Sequence, residues 1–129
     1  MSRLRGAAAE QFVIARALQR GYRVAVPIVD TAGIDLYFVN LRNEILGAQI
    51  KMAQRHRDGW RIKLRNGAGE RYGDAVDLFI AVDPGFARIW LVPAVALAHA
   101  QHKGVLRPRW LERWGVIDSF GAFRGRAKA

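Results

Sequence analysis

Gly33-Ile34-Asp35-Leu36-Tyr37-Phe38-Val39 and Ile45-Leu46-Gly47-Ala48-Gln49-Ile50-Lys51 decide how this chain is read. Each is an apolar run of strand length, and the polar link Asn40-Leu41-Arg42-Asn43 makes the pair a β-hairpin. Each run also carries groups that a core rejects: Asp35 in the first, Gln49 and Lys51 in the second. Side chains alternate along a strand, so Asp35, Tyr37 and Val39 share a face of theirs, and Gln49 and Lys51 share a face of theirs. A hairpin register that puts both faces on one side of the sheet collects all three polar groups.

Upstream, residues 7–20 read as a helix that stops at Gly21. At about 100° per residue, Ala7, Glu10, Val13, Ile14, Ala17 and Leu18 fall on one side. Glu10 therefore sits in the apolar stripe, where it can pack on the polar face of the hairpin, while Phe12 points the opposite way. Residues 22–29 read as a first strand, with Pro27 marking an edge or a bend. The chain thus opens in the order α-β-β-β.

Downstream the pattern is shorter. Residues 55–58 read as a charged turn, 60–64 as a short strand and 66–73 as a glycine-bearing loop. Two strands, 77–82 and 88–92, are joined by Asp83-Pro84-Gly85, and a helix is expected over 94–102 behind Pro93. No internal repeat is present.

The 129 residues suffice for one core, and 51% apolar content excludes a wholly disordered chain. Lys and Arg outnumber Asp and Glu 21 to 11, a net charge of +10, and 17 of the 21 are arginines. Such a balance favours nucleic acid or an anionic surface as partner, and arginine suits bidentate phosphate contact. The absence of cysteine excludes disulfides, thiolate zinc sites and a thiol nucleophile. Glu10 and Arg16 interrupt what would be the apolar core of a signal peptide. The longest stretch without Asp, Glu, Lys or Arg, residues 89–102, is shorter than the roughly 20 residues of a membrane span and contains Pro93. A soluble cytoplasmic protein without a membrane partner is expected.

Hydrolysis of a phosphodiester needs an activated water, a centre for developing negative charge and help for the leaving group, much of which a divalent metal supplies. Mg²⁺ takes oxygen ligands from a few carboxylates. Glu10 and Asp35 are such ligands if they converge, and the Ile50 carbonyl between Gln49 and Lys51 is another. Lys51 is suited to orienting the water or stabilising charge on the phosphate.

A carboxylate on the first helix, then Pro27-x-x-Asp30-x-x-Gly33-Ile34-Asp35-Leu36, then Gln49-Ile50-Lys51, resembles the PD-(D/E)XK nuclease superfamily. The likeness runs from about residue 6 to residue 93. It is strongest to the small branch with a Gln-x-Lys motif, which is group I intron homing endonuclease-like and Holliday junction resolvase-like. The resemblance implies an α/β (α+β) fold: a restriction-endonuclease-like αβββ core with a mixed central sheet flanked by helices. It implies Mg²⁺-dependent DNA cleavage, with Mn²⁺ as a substitute. Glu10, Asp35, Gln49 and Lys51 become the catalytic set, and Glu10, Asp35 and the Ile50 carbonyl the metal ligands. Gln49 stands where most of the superfamily has Asp or Glu, and an amide brings an oxygen without its charge. A catalytically inactive DNA-binding module on the same fold is therefore the alternative.

Arg55, Arg57, Arg61 and Arg65 follow the motif closely and are candidate DNA-backbone contacts, though a solvated face has the same composition. Cutting both strands of a duplex needs two sites, so a homodimer or homotetramer is expected. The nuclease-like domain is assigned to residues 1–103, and 104–129 to a basic, partly disordered extension. His99 and His102 share a face of the expected helix and read as a surface pair; Asp77 reads as structural; Trp90, Trp110 and Trp114 read as core or interface.

Overall fold

The first helix ends as its sequence requires. In the computed structural model, which describes residues 2–29, 33–65 and 76–119, α1 (Ser2–Gln19) stops where Gly21 takes φ +84°. Gly21 N–H donates to Leu18 C=O (3.0 Å) and Tyr22 N–H to Ala17 C=O (3.0 Å), the paired bonds of a Schellman motif. The helix starts five residues earlier than the sequence pattern indicated, and its buried stripe is Ala9, Val13 and Ala17. Leu18, assigned to that stripe, is exposed. Phe12 is half-buried and meets Phe86 edge to face at 5.7 Å, so it does not point away from the protein.

Eight strands follow: β1 (Arg23–Ala25), β2 (Leu36–Val39), β3 (Ile45–Met52), β4 (Gln54–His56), β5 (Gly59–Lys63), β6 (Leu78–Val82), β7 (Ile89–Pro93) and β8 (Lys103–Leu106). The larger sheet has the order β1-β2-β3-β6-β7, in which only β3 and β6 run parallel. It is the mixed central sheet expected, entered in αβββ order. All five residues of both β6 and β7 are buried, so both faces of this part of the sheet are covered. Among the described residues, the cover is one α-helix, 3₁₀ turns at Ala94–Leu97, Pro108–Trp110 and Trp114–Val116, and a second sheet of order β4-β5-β8, rather than several α-helices.

Three differences from the sequence pattern have physical reasons. The first strand shrinks to three residues because Pro27 cannot donate to a ladder, and Val26, Ile28 and Val29 beyond it are exposed. The charged stretch at 55–58 is only partly a turn: Arg55 and His56 pair with Trp60 and Gly59 in the β4–β5 hairpin. The helix expected over 94–102 is a 3₁₀ turn. Its first amide is taken by Asp77 C=O (3.0 Å), and Ala98 N–H bonds to Val95 C=O (3.2 Å), three residues back. Leu97 then seats on Gly104, where a Cβ would lie 2.8 Å from Leu97 Cδ1.

The boundary drawn after residue 103 falls inside β8. Trp110, Trp114, Val116 and Ile117 belong to the same buried cluster as Phe38, Leu46 and Ile80. Trp114 stacks on Tyr22 at 5.9 Å, and the buried Asn40 side chain donates to Ile117 C=O at 3.0 Å. The stretch 104–119 thus contributes side chains to the core. The disorder expected at the chain end and the loop at 66–73 lie outside the described residues.

Candidate active site

The hairpin register decides whether the polar groups meet. Tyr37 stands opposite Gly47 and Leu36 opposite Ala48. The row holding Tyr37 and the row holding Gln49 and Lys51 therefore lie on one side of the sheet. Asp35 directly precedes β2. Its amide donates to Ala48 C=O at 2.9 Å, and its carboxylate Oδ2 accepts from Ile50 N–H at 2.8 Å. It thereby spans Gln49 on the neighbouring strand. The Ile50 carbonyl leaves β3 on the same side as its amide, toward Asp35.

Glu10 reaches this point from α1. Burial, then the charge of Asp35 and a side-chain hydrogen bond to it, hold the Glu10 carboxyl above its ordinary range. Two acids carried by separate elements thus stand side by side, an arrangement a cation relieves. Gln49 is 6% exposed, and its Oε1 has no hydrogen-bond partner. A buried acceptor left unpaired costs about 1–3 kcal/mol. Together the two carboxylates, the orphaned amide oxygen and the Ile50 carbonyl are hard oxygen donors of the type Mg²⁺ takes. Among the described residues, no three His, Cys, Asp or Glu side chains gather as a metal cluster. Lys51 is half-buried, opposite Ala81 of β6 and two residues beyond Gln49.

Two residues outside the sequence-derived set hold this arrangement. Gly33 has φ +77°, and a Cβ there would lie 3.2 Å from Gln49 Nε2. Only the glycine ahead of Ile34-Asp35 hinted at this. Asp77 clamps β3 just before Gln49: its Oδ2 accepts from Gly47 N–H at 2.9 Å, and its own amide donates to Gly47 C=O at 2.8 Å.

The solved structure of the bacterial homing endonuclease I-Ssp6803I matches this chain with a TM-score of 0.74 and 22% sequence identity, over 98% of each chain. The two share a fold. Comparison with family models gives no match, and neither does comparison with curated proteins.

Against this endonuclease-like scaffold the four arginines separate. Arg55 stacks over Trp60 at 5.2 Å, on one face of the β4–β5 hairpin, while Arg61 lies on the other. Arg61 is paired with Asp58 at 2.9 Å, Arg65 Nε donates to Gln101 C=O at 2.8 Å, and Arg57 is exposed in the turn. They do not form one patch. His99 and His102 are exposed and not on a helix, and Trp90, Trp110 and Trp114 are buried. No described helix is long and apolar enough to cross a membrane.

Proposed function

We propose that this chain is a metal-dependent DNA endonuclease of PD-(D/E)XK type, hydrolysing phosphodiester bonds with Mg²⁺ or Mn²⁺. The observation that carries the reading is the pairing of Glu10 with Asp35, which bonds Ile50 N–H next to Gln49, whose Oε1 is buried and unpartnered. The name of the structural neighbour and the net charge of +10 favour DNA as the substrate. Glu10, Asp35 and the Ile50 carbonyl would hold the metal, with Gln49 offering its amide oxygen. The bound metal would lower the pKa of water and offset charge on the phosphate. Lys51 would direct its ammonium at the attacking water or at a non-bridging phosphate oxygen. Asp35 has a second task, because the bond from Ile50 N–H keeps β3 aligned past Gln49. One chain supplies one such site, so cleavage of both strands calls for a homodimer or homotetramer.

The test is nicking of supercoiled plasmid with Mg²⁺ or Mn²⁺, beside Asp35→Ala and Lys51→Ala. Metal-dependent nicking lost in both variants is the expected result. Salt-sensitive DNA binding with no nicking under either metal would instead establish the inactive DNA-binding module that Gln49 keeps in play.

A further inference from the structure

The strand registers sort the side chains of the small sheet between two faces. Trp60, Ile62 and Leu106 turn inward; Ile62 and Leu106 are buried, and Trp60 meets Trp90 at 5.4 Å. The other face carries Gln54, His56, Arg61, Lys63, Lys103 and Val105. Lys63 and Lys103 are exposed and stand directly opposite each other across the β5–β8 pair. Like charges in that relation destabilise a sheet. Lys103 Nζ also lies 3.4 Å from His56 Nε2. Asp58, which holds Arg61, is the only acid in these three strands and the turn joining β4 to β5. Among the described residues, neither lysine is in an ion pair.

We propose that this outward face of β4-β5-β8 is a contact surface for the phosphate backbone of nucleic acid, with Lys63 and Lys103 as its centre and Arg61 beside them. Three observations select that partner. Cations on alternate residues of adjacent strands are spaced about 5–7 Å apart, which suits a regular polyanion rather than a single acidic group. Val105 is the only apolar side chain on the face, so it offers neither the apolar centre of a protein interface nor a lipid-seeking stripe. And β4 begins three residues after Lys51, at most about 11 Å of chain, so the sheet that carries this surface starts within that reach of the candidate site. The inference rests on the nucleic-acid part of the proposed function. It moves the backbone contact from the scattered arginines to a lysine pair, with Arg61 retained.

The experiment measures binding of the full-length chain to a fluorescein-labelled DNA duplex by anisotropy, in EDTA, over a series of salt concentrations. Lys63→Gln with Lys103→Gln is compared with wild type and with the charge-matched control Arg42→Gln with Arg113→Gln. The slope of log K against log salt falls by about 1.8 in the lysine pair, at about 0.9 per lost phosphate contact, and stays at the wild-type value in the control. The lysine pair also melts at or above the wild-type temperature, because it removes a like-charge contact. An unchanged slope, an equal fall in the control, or a lowered melting temperature overturns the proposal, as does wild-type protein that binds no duplex. Plasmid nicking measured in parallel separates the two claims. Nicking with an unchanged slope removes only the surface; a reduced slope without nicking under any metal keeps the surface and removes the endonuclease.

Discussion

Replacing Gly33 by alanine perturbs the candidate site through a single methyl group, and the molecule contains its own control. Gly33 and Gly21 both occupy left-handed backbone, at φ +77° and +84°. An L-residue there costs about 1–2 kcal/mol. With an unfolding entropy of about 2.1 cal/mol/K per residue, a chain of 129 residues loses about 4–7 °C of melting temperature for that cost. Both variants should show it. They differ in what the new methyl meets. At Gly21 nothing lies within 4 Å; at Gly33 the Cβ would stand 3.2 Å from Gln49 Nε2, so Gln49 must give by a few tenths of an ångström. Misplacing a reacting group by 1 Å costs about 100-fold, so a shift of about 0.3 Å scales to about fourfold. The assay is single-turnover nicking at saturating metal and DNA, run about 15 °C below the lower of the two melting temperatures. Gly33→Ala should nick about fourfold more slowly than Gly21→Ala at equal stability. Equal rates would refute the claim that the position of Gln49 matters to the chemistry.

Two further outcomes follow from the charges at the site. Because the Glu10 carboxyl is held above its ordinary range by burial and by Asp35, the folded protein keeps a proton that the unfolded chain has lost. The metal-free protein is thus favoured below the unfolded pKa and loses that contribution as pH rises through the folded one. Glu10→Gln should flatten the decline in urea midpoint with pH in EDTA; a parallel decline would mean that Glu10 is not the group responsible. Gln49→Glu adds a third carboxylate beside Glu10 and Asp35, so it should lower the metal-free melting temperature and tighten Mn²⁺ binding by calorimetry, and weaker binding would place Gln49 outside the ligand set.

What the sequence disclosed about this protein was local and periodic. The Gly21 stop, the hairpin on Asn40 and the buried runs at 78–82 and 89–93 each follow from a few adjacent residues. The convergence of Glu10 and Asp35 was legible because strand alternation and helix periodicity both pointed inward. Long-range packing was not legible. The apparent helix at 94–102 was given up because Asp77 takes its first amide and Leu97 needs the space over Gly104, and neither contact has a periodic signature. The basic composition after residue 103 suggested an extension outside the domain, although Trp110 and Trp114 already read as core or interface; with Ile117 they supply core to a sheet that, among the described residues, one α-helix covers.

The same contrast bears on Gln49. Its amide is buried against a glycine in left-handed backbone that leaves room for it, on a strand pinned by Asp35 at Ile50 and by Asp77 at Gly47. Such support is more than an exposed strand end needs, and it leaves Oε1 without a partner. A side chain held this firmly with an unsatisfied acceptor is costly unless something donates to it or coordinates it. If that something is a metal, the missing charge of a third carboxylate falls on Glu10, which is why the burial that raises Glu10 and the neutrality of Gln49 belong to one electrostatic arrangement. Two acids already repel each other there, and a third would deepen that repulsion in the metal-free fold. The amide keeps an oxygen in position while sparing the fold that added charge.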